Sequence, residues 1–281
     1  MVAEKNLNIK YNLEKFDDIY LLDESNNNGF FSGNKYRKLS YILRNFNNVG
    51  ILTYGSKFSN HCIATAYYAK RLKTKTILLI ISEEKFDIYK FPNIKLAKKL
   101  GAEIVWIKTS KATEKIDYYK EKYSDYLWIP GGGHTREGML SYFDLTKHIF
   151  NENKELHEIE WILLPYGTGT TALGILKAIN EVNKNIKVIG VSVSRNKKRC
   201  LKAALDFADK NELNNLQIID KFAGKYGKFK DIDKKYQDRF FYEYGIYIDP
   251  IYNIRSIRYF YEMKLENGLI VNTGGGGNFY L

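Results

Sequence analysis

The chain has 281 residues, of which 44% are hydrophobic and only 4 are proline. This length and composition are typical of one large globular domain or two moderate ones with a substantial core. The formal net charge is +12, and it comes mainly from lysines spread along the chain without a block of five like charges. A nucleic-acid-binding protein needs a clustered basic surface, so the sequence favours other functions.

Other classes of protein lack their sequence signals. Cys62 and Cys200 lie far apart and do not suggest a disulfide framework. The four histidines do not show the spacing of metal ligands, so we expect no metal site. The segment Met1 to Lys10 has no apolar stretch typical of a signal peptide, and no apolar run reaches membrane-spanning length. We therefore expect a cytoplasmic protein with neither a membrane nor a nucleic-acid partner.

Short apolar runs alternate with amphipathic segments along the chain, which predicts an α/β fold with a mostly parallel sheet. Ligands bind such folds at loops that follow the carboxyl ends of strands. The strands are predicted at 51–54, 76–81, 104–107, 127–130, 161–165, 188–193, 216–219 and 269–272. The helices are predicted at 59–72, 93–100, 170–182, 198–210, 231–244 and 254–265.

The run from Gly33 to Leu39 reads Gly-Asn-Lys-Tyr-Arg-Lys-Leu and offers the amine of Lys35 on a bend next to a glycine. A buried amine near other cations, here Arg37 and Lys38, has a lowered pKa and can attack a carbonyl carbon. The alternative is that this run is only the basic start of a helix on a solvated surface.

A Gly-Thr-Gly-Thr-Thr loop at 167–171 follows a predicted strand and begins a predicted helix. Glycines let the backbone approach an anion, and the free N–H groups of the helix and the hydroxyls donate to it. The loop lacks the lysine of a P-loop, and Ala172 occupies the third glycine position of a dinucleotide-binding fingerprint. We interpret it as a phosphate-binding loop, with an ordinary tight turn as the alternative.

Two more loops have the same strand-end position. Asn60 could bind a cofactor's ring oxygen and Ser59 could relay a proton, or Ser59 could simply cap a helix. The four glycines after Thr273 expose backbone to a closely approaching group, or they form a flexible tail. A lysine, a phosphate loop and a polar loop beside the ring are what an enzyme needs to hold pyridoxal phosphate as a Schiff base.

Taken in order, these segments resemble the fold-type II pyridoxal-phosphate enzymes, and most of all the branch of 1-aminocyclopropane-1-carboxylate (ACC) deaminase and D-cysteine desulfhydrase. The matched motifs are Gly-Asn-Lys-x-Arg-Lys-Leu at 33–39, Phe-Ser-Asn-His at 58–61, which matches in part a Gln-Ser-Asn-His segment, Ile-Pro-x-Gly-Gly at 129–133, the Thr-Gly-x-Thr loop at 168–171, Tyr-Gly at 226–227, Asp-Pro-x-Tyr at 249–252 and Thr-Gly-Gly at 273–275.

The resemblance implies a role for each matched residue. Lys35 would be the Schiff-base lysine, and Asn60 would bind the 3′-oxygen of the cofactor. The phosphate would be held by Gly167, Thr168, Gly169, Thr170 and Thr171.

The resemblance also places substrate-binding groups. Ser59 would contact the substrate carboxylate or relay protons, and Tyr226 and Tyr252 would act as acid, base or orienting groups. Asn253 and Thr273 would lie near the cofactor ring. ACC deaminases tend to carry Glu and Leu at these two places, and a Thr at the second is more like the desulfhydrases.

The architecture implied by the resemblance is tryptophan-synthase-β-like, with two open, twisted, mostly parallel sheets flanked by helices. The larger domain would comprise 1–39 and 146–281, the smaller inserted domain 40–145, and the cofactor would lie in the cleft between them. The implied activity is deamination of a small amino acid to a 2-oxo acid and ammonia by a homodimer. The alternative is a non-catalytic, regulatory protein that binds pyridoxal phosphate.

Overall fold

The computed structural model describes residues 10–27, 31–224, 227 and 231–275. Within these residues, ten strands form two separate sheets of six and four strands. Every neighbouring pair is parallel except the first two strands of the larger sheet. The α/β class and the two mostly parallel sheets predicted from the sequence are therefore confirmed.

The larger sheet has the strand order β1-β2-β10-β7-β8-β9. Helices cover both of its faces, with α5, α6 and α7 on one and α8 and α9 on the other. The strands are Leu13–Phe16 (β1), Ile19–Asp23 (β2), Trp161–Tyr166 (β7), Lys187–Ser192 (β8), Leu216–Ile219 (β9) and Gly268–Asn272 (β10). The helices are Arg136–Glu152 (α5), Thr170–Val182 (α6), Lys197–Ala204 (α7), Asp231–Tyr244 (α8) and Asn253–Met263 (α9).

The smaller sheet has the strand order β5-β4-β3-β6 and is also covered on both faces. Its strands are Gly50–Gly55 (β3), Lys75–Ser82 (β4), Glu103–Lys108 (β5) and Leu127–Ile129 (β6). Its helices are Asn34–Ile42 (α1), Asn60–Arg71 (α2) and Pro92–Lys99 (α3) on one face and Ala112–Lys122 (α4) on the other. These strands fall inside the predicted insert at 40–145, whose boundaries stay a prediction.

All eight predicted strands are present, but the sequence interpretation missed five elements of the fold. These are β1, β2, α4, α5 and α1, a helix that was considered only as the alternative to a reactive bend at Lys35. The helix predicted at 198–210 is wrong in length, because α7 ends at Ala204. The chain turns there so that Phe207 and Ala208 pack into the core of the larger sheet. Within the described residues, no helix is both long enough and apolar enough to cross a membrane.

A buried ion pair fastens α1 to the larger sheet. The guanidinium of Arg37 donates to both carboxylate oxygens of Glu24 at 2.7 Å, and the hydroxyl of Tyr142 on α5 donates to the same carboxylate at 2.8 Å. Arg37 also donates to the backbone oxygen of Lys10 at 2.7 Å. Glu24 follows β2 directly, so a single carboxylate joins the end of β2, α1 and α5.

We expect Arg37→Met to lower the free energy of unfolding by about 3–5 kcal/mol, because it leaves the Glu24 carboxylate buried without its counter-charge. Chemical denaturation of purified protein measures the change. The matched control is Lys234→Met, which removes an exposed pair with Asp238 and should cost less than about 1 kcal/mol. An Arg37→Met loss as small as the control's would show that the pair does not hold α1 in place.

Candidate active site

Loops from both sheets meet around one cavity of about 250 Å³. These loops follow the carboxyl ends of β3, β6, β7 and β10. The cavity is lined by most of the residues predicted from the sequence, namely Lys35, Ser59, Asn60, Gly167, Thr168, Gly169, Thr171, Tyr252 and Thr273. Thr170 and Asn253 do not line it but are buried at the first positions of α6 and α9. Tyr226 lies outside the described residues.

Lys35 is brought to the cavity by the way α1 begins. Gly33 precedes the helix with φ of 103°, and a Cβ there would lie 2.9 Å from the backbone oxygen of Thr273. That same oxygen accepts a 2.8 Å hydrogen bond from the backbone N–H of Asn34. Only glycine fits this position, so the first turn of α1 rests against the loop that follows β10. The Lys35 Nζ donates to Asn34 Oδ1 at 3.1 Å.

Burial lowers the pKa of Lys35 to about 8, and the charge of Asp249 acts in the opposite direction. Burial and neighbouring cations were both expected to lower this pKa, and only the contribution of burial is found. Arg37 is neutralised by Glu24, and the pKa of Lys38 is itself lowered well below its usual value, first by burial and then by the charge of Lys35. Desolvation therefore makes Lys35 a reactive amine near neutral pH.

Lys38 is a second amine in the cavity, which the sequence analysis treated only as a nearby charge. It lies one helical turn after Lys35, is 1% exposed, and reaches toward the backbone oxygen of Gly132 at 3.5 Å. The spacing of three residues in a helix was the signal that could have placed both amines on one face.

The predicted phosphate loop has the geometry of an anion site. Gly169 takes a left-handed conformation with φ of 90°, which turns the chain so that α6 begins at Thr170. A Cβ added to Gly167 would meet no atom within 4 Å, so open space lies beside the free N–H groups of the helix. Thr171 is tied to the lysine-bearing helix, since its hydroxyl accepts from Asn34 Nδ2 at 3.1 Å.

The loop after β3 presents a hydrogen-bond donor to the cavity. Ser59 caps α2 by accepting from the backbone N–H of Cys62 at 3.2 Å. Asn60 Oδ1 accepts from Asn93 Nδ2 at 3.0 Å, which fixes the orientation of the Asn60 amide. Its Nδ2 faces the loop after β10, where a Cβ on Gly275 would lie 2.2 Å away. Asn93 was not predicted and carries no motif of its own.

Asn253 lies behind Thr273 with its amide orientation fixed. Its Oδ1 accepts from the backbone N–H of Thr273 at 2.9 Å and from the Thr273 hydroxyl at 3.0 Å. A backbone N–H can only donate, so the oxygen must face Thr273. The Nδ2 of Asn253 is then a buried donor with no partner among the described residues, and such a group is costly unless a ligand satisfies it.

His61 also lines the cavity and is held neutral. Its pKa is lowered to about 3 by burial and by the charges of Lys35 and Lys38. The Thr53 hydroxyl donates to the backbone oxygen of Ile129 at 2.6 Å, so it must accept from His61 Nε2–H at 2.8 Å. The Nδ1 of His61 is therefore a bare acceptor, and it has no partner in the described part of the chain.

The matching family model is described as "Pyridoxal-phosphate dependent enzyme" and covers residues 5–250. The chain belongs to this family and is a pyridoxal-phosphate-dependent enzyme. A Thermotoga maritima relative, provisionally named as a 1-aminocyclopropane-1-carboxylate deaminase, is 28% identical over 87% of this chain and 84% of its own.

Two solved structures share the fold. The crystal structure of an ACC deaminase homologue has a TM-score of 0.75 at 22% identity, covering 92% of this chain and 85% of its own. A hydrogen sulfide-producing enzyme from Fusobacterium nucleatum has a TM-score of 0.68 at 16% identity, covering 96% of each chain. The fold-type II architecture suggested by the motifs is therefore confirmed.

The residues around the cavity fit pyridoxal phosphate. Lys35 would supply the amine for its aldehyde, and the open space beside Gly167 would accommodate its phosphate. His61 lines the cavity, and its Nδ1, unpartnered among the described residues, is an acceptor of the kind that a polar ligand satisfies. By contrast, no group of three or more His, Cys, Asp or Glu side chains within the described residues could hold a metal ion.

Burial of Lys35 should make the cofactor-free protein less stable at neutral pH. The folded pKa of about 8 lies below the usual 10.5, so the unfolded chain binds more protons between these values. The loss of stability caused by burying the charged Lys35 amine is therefore complete below about pH 8 and disappears above about pH 10.5. We expect Lys35→Met to raise the free energy of unfolding by about 1–3 kcal/mol at pH 7.

Denaturation of cofactor-free protein at pH 7 and pH 10.5 measures this effect. The gain from Lys35→Met should shrink at the higher pH, whereas the exposed control Lys202→Met should change stability little at either pH. A gain independent of pH would contradict the proposed origin in burial of a charged amine.

Proposed function

We propose that this enzyme removes the amino group of a small amino acid and yields a 2-oxo acid and ammonia. The observation that carries the proposal is Lys35, an amine with a pKa of about 8 that faces a cavity containing an open anion site. When bound, pyridoxal phosphate supplies an electron sink for negative charge on the carbon that bears the substrate's amino group.

Each loop has a separate task in holding the cofactor. Lys35 holds it covalently, and the N–H groups and hydroxyls of Gly167, Thr168, Gly169, Thr170 and Thr171 hold its phosphate. The Nδ2 of Asn60 is oriented to donate to a ring oxygen, because Asn93 occupies the other end of the amide. The chain thus uses α1, α2 and α6 to hold three different parts of one molecule.

The same residues would also serve the reaction by binding the substrate and by accepting or moving a proton. A free Lys35 amine with a pKa of about 8 is partly neutral at physiological pH and can accept a proton from the substrate. Ser59 lines the same cavity and would bind the substrate carboxylate or relay the proton, and Tyr252 and Tyr226 would orient the substrate.

The size of the cavity favours a small substrate. A volume of about 250 Å³ lies at the low end for ligand pockets, and the cofactor itself occupies much of it. Amino acids of a few carbons, such as ACC or D-cysteine, fit this restriction. The names of the sequence relatives support the first compound.

The environment of the ring favours D-cysteine or a similar β-substituted amino acid over ACC. Asn253 offers a neutral donor where ACC deaminases carry a carboxylate, so it does not hold a proton on the pyridine nitrogen. A weaker electron sink suits loss of a good leaving group, such as thiolate, better than opening of a carbon ring. The hydroxyl of Thr273 also makes the cavity more polar than leucine would.

Two features remain predictions that belong with this function. The enzyme would act in the cytoplasm and would be a homodimer. Size-exclusion chromatography with light scattering gives the oligomeric state directly.

The attachment of the cofactor is tested by borohydride reduction. Purified protein should be yellow, and reduction followed by peptide mapping should place the cofactor on the peptide that contains Lys35. Lys35→Ala should abolish turnover because it removes both the attachment point and the base. Labelling of another lysine would overturn the assignment, and a labelled Lys35 without turnover of any small amino acid would favour the non-catalytic alternative.

Substrate preference is tested by measuring kcat/KM for D-cysteine and ACC side by side, with pyruvate, sulfide and 2-oxobutanoate detected directly. We expect D-cysteine to be the better substrate by about tenfold or more, which corresponds to about 1.4 kcal/mol of transition-state stabilisation. Asn253→Glu should narrow the gap, because its carboxylate can hold a proton on the ring nitrogen. Asn253→Gln is the control, because glutamine has the size of glutamate but no charge. A preference of the wild-type enzyme for ACC would refute the assignment.

A further inference from the structure

A row of hydrogen-bonded side chains runs from the protein surface to the cavity. His134 Nε2 lies 3.3 Å from Asp206 Oδ2, and His134 Nδ1 lies 2.7 Å from the hydroxyl oxygen of Thr170. That oxygen lies 3.0 Å from the hydroxyl oxygen of Thr168. The Asp206 side chain is 62% exposed, whereas Thr170 is fully buried and Thr168 lines the cavity.

His134 is held in an environment that favours its neutral form. Burial lowers its pKa most, and the charges of Lys38 on α1 and Arg195 after β8 lower it further, while Asp206 acts in the opposite direction. The ring of Phe207 packs edge-on against the His134 ring at 4.6 Å and carries no charge. The carboxylate of Asp206 can only accept, so neutral His134 carries its proton on Nε2 and its Nδ1 is an acceptor.

Counting protons shows what this arrangement does to a bound phosphate. Three contacts lead to the phosphate: His134 to Thr170, Thr170 to Thr168, and Thr168 to the anion. Each contact needs one proton. When His134 is neutral, only the two hydroxyl protons are available, so one contact is left with facing lone pairs. When His134 is protonated, Nδ1–H supplies the third proton and every contact is satisfied, with all donors directed toward the phosphate.

We propose that His134, Thr170 and Thr168 form a hydrogen-bonded chain whose direction is set by protonation of His134, so that binding of the cofactor phosphate and binding of a proton to His134 strengthen one another. The inference rests on the phosphate loop of the proposed function. His134 is a positioning residue in this scheme, since it acts on the phosphate through the two threonines and does not touch it.

Thermodynamic linkage gives the sign of the effect. A phosphate that binds more tightly to the protonated form must raise the pKa of His134 by the same free energy. Affinity for the phosphate therefore increases as the pH falls from the pKa of His134 in the phosphate-bound protein to its pKa in the phosphate-free protein. Cofactor binding in this range takes up a proton from solution, beyond any exchanged by the phosphate itself or by Lys35.

The test is an NMR titration of protein labelled with ¹⁵N-histidine. The chain has 4 histidines, and His134→Gln identifies the signal of His134. We expect neutral His134 to be protonated on Nε2 in the empty site, and its pKa to rise by at least one unit when pyridoxal phosphate is bound. One unit corresponds to about tenfold tighter binding to the protonated form. His148 is half-buried on α5 and does not line the cavity, so its signal is an internal reference that should not respond to pyridoxal phosphate.

Two other probes separate the phosphate from the rest of the cofactor. Pyridoxal has the same aldehyde and ring without the phosphate and should leave the pKa of His134 unchanged, whereas inorganic phosphate alone should raise it. A shift with pyridoxal, or no shift with pyridoxal phosphate attached to Lys35, would overturn the chain while leaving the proposed function intact. If inorganic phosphate raises the pKa of His134 but pyridoxal phosphate does not attach to Lys35, the hydrogen-bonded chain would be supported and the proposed function overturned.

Variants of the middle link test whether the effect passes through it. Thr170→Val keeps the shape but removes the hydroxyl, and it should reduce the pKa response of His134 to a few tenths of a unit. Thr170→Ser restores a hydroxyl and should restore the response, which guards against a folding defect in the valine variant. An unchanged response in Thr170→Val would show that His134 senses the phosphate through space and would refute the chain.

Discussion

The buried pair between Glu24 and Arg37 determines how α1 can carry its chemistry. Burial alone would lower the pKa of Arg37, but the facing carboxylate outweighs it and raises the pKa above its usual value. Lys35 and Lys38 lie one turn apart on the face turned to the cavity, where burial outweighs the charge of Asp249 on Lys35 and both pKa values fall. Helix α1 is thus held in place by the paired cation of Arg37, and it presents the two amines of Lys35 and Lys38 on another side.

This arrangement leaves the cofactor-free site poor in compensating contacts. Two amines are desolvated, and Asn253 Nδ2 and His61 Nδ1 are buried without partners among the described residues. Each such group lowers stability until a ligand satisfies it. Binding of the cofactor therefore adds to the free energy of unfolding by mass action, and the same burial that makes Lys35 reactive makes the loaded protein the more stable form.

Hydrophobic pattern and loop chemistry predicted much of the fold and most of the cavity lining. The buried strands were recognisable as continuous apolar runs. The missed helix α5 carries a helical pattern at Met139, Tyr142, Leu145 and Ile149, which is hidden by the polar residues between them. Helix α4 is mostly polar and has no buried residue, so its signal is weak. The pKa of Arg37 is raised and that of Lys38 is lowered, because Glu24 pairs with Arg37 alone. The spacing of these residues in the sequence does not predict that pairing.

The orientation of polar groups was beyond the sequence, because it depends on residues far apart in the chain. The donor end of Asn253 is set by the backbone N–H of Thr273, twenty positions later, and that of Asn60 is set by Asn93 on α3. His134 gains its connection to the phosphate loop only when the loop after β6 lies against the start of α6. A motif names the residue type, whereas the atom that faces the ligand is decided by a neighbour whose own identity carries no motif. Substrate choice in such an enzyme can therefore change through the neighbours while every motif is retained.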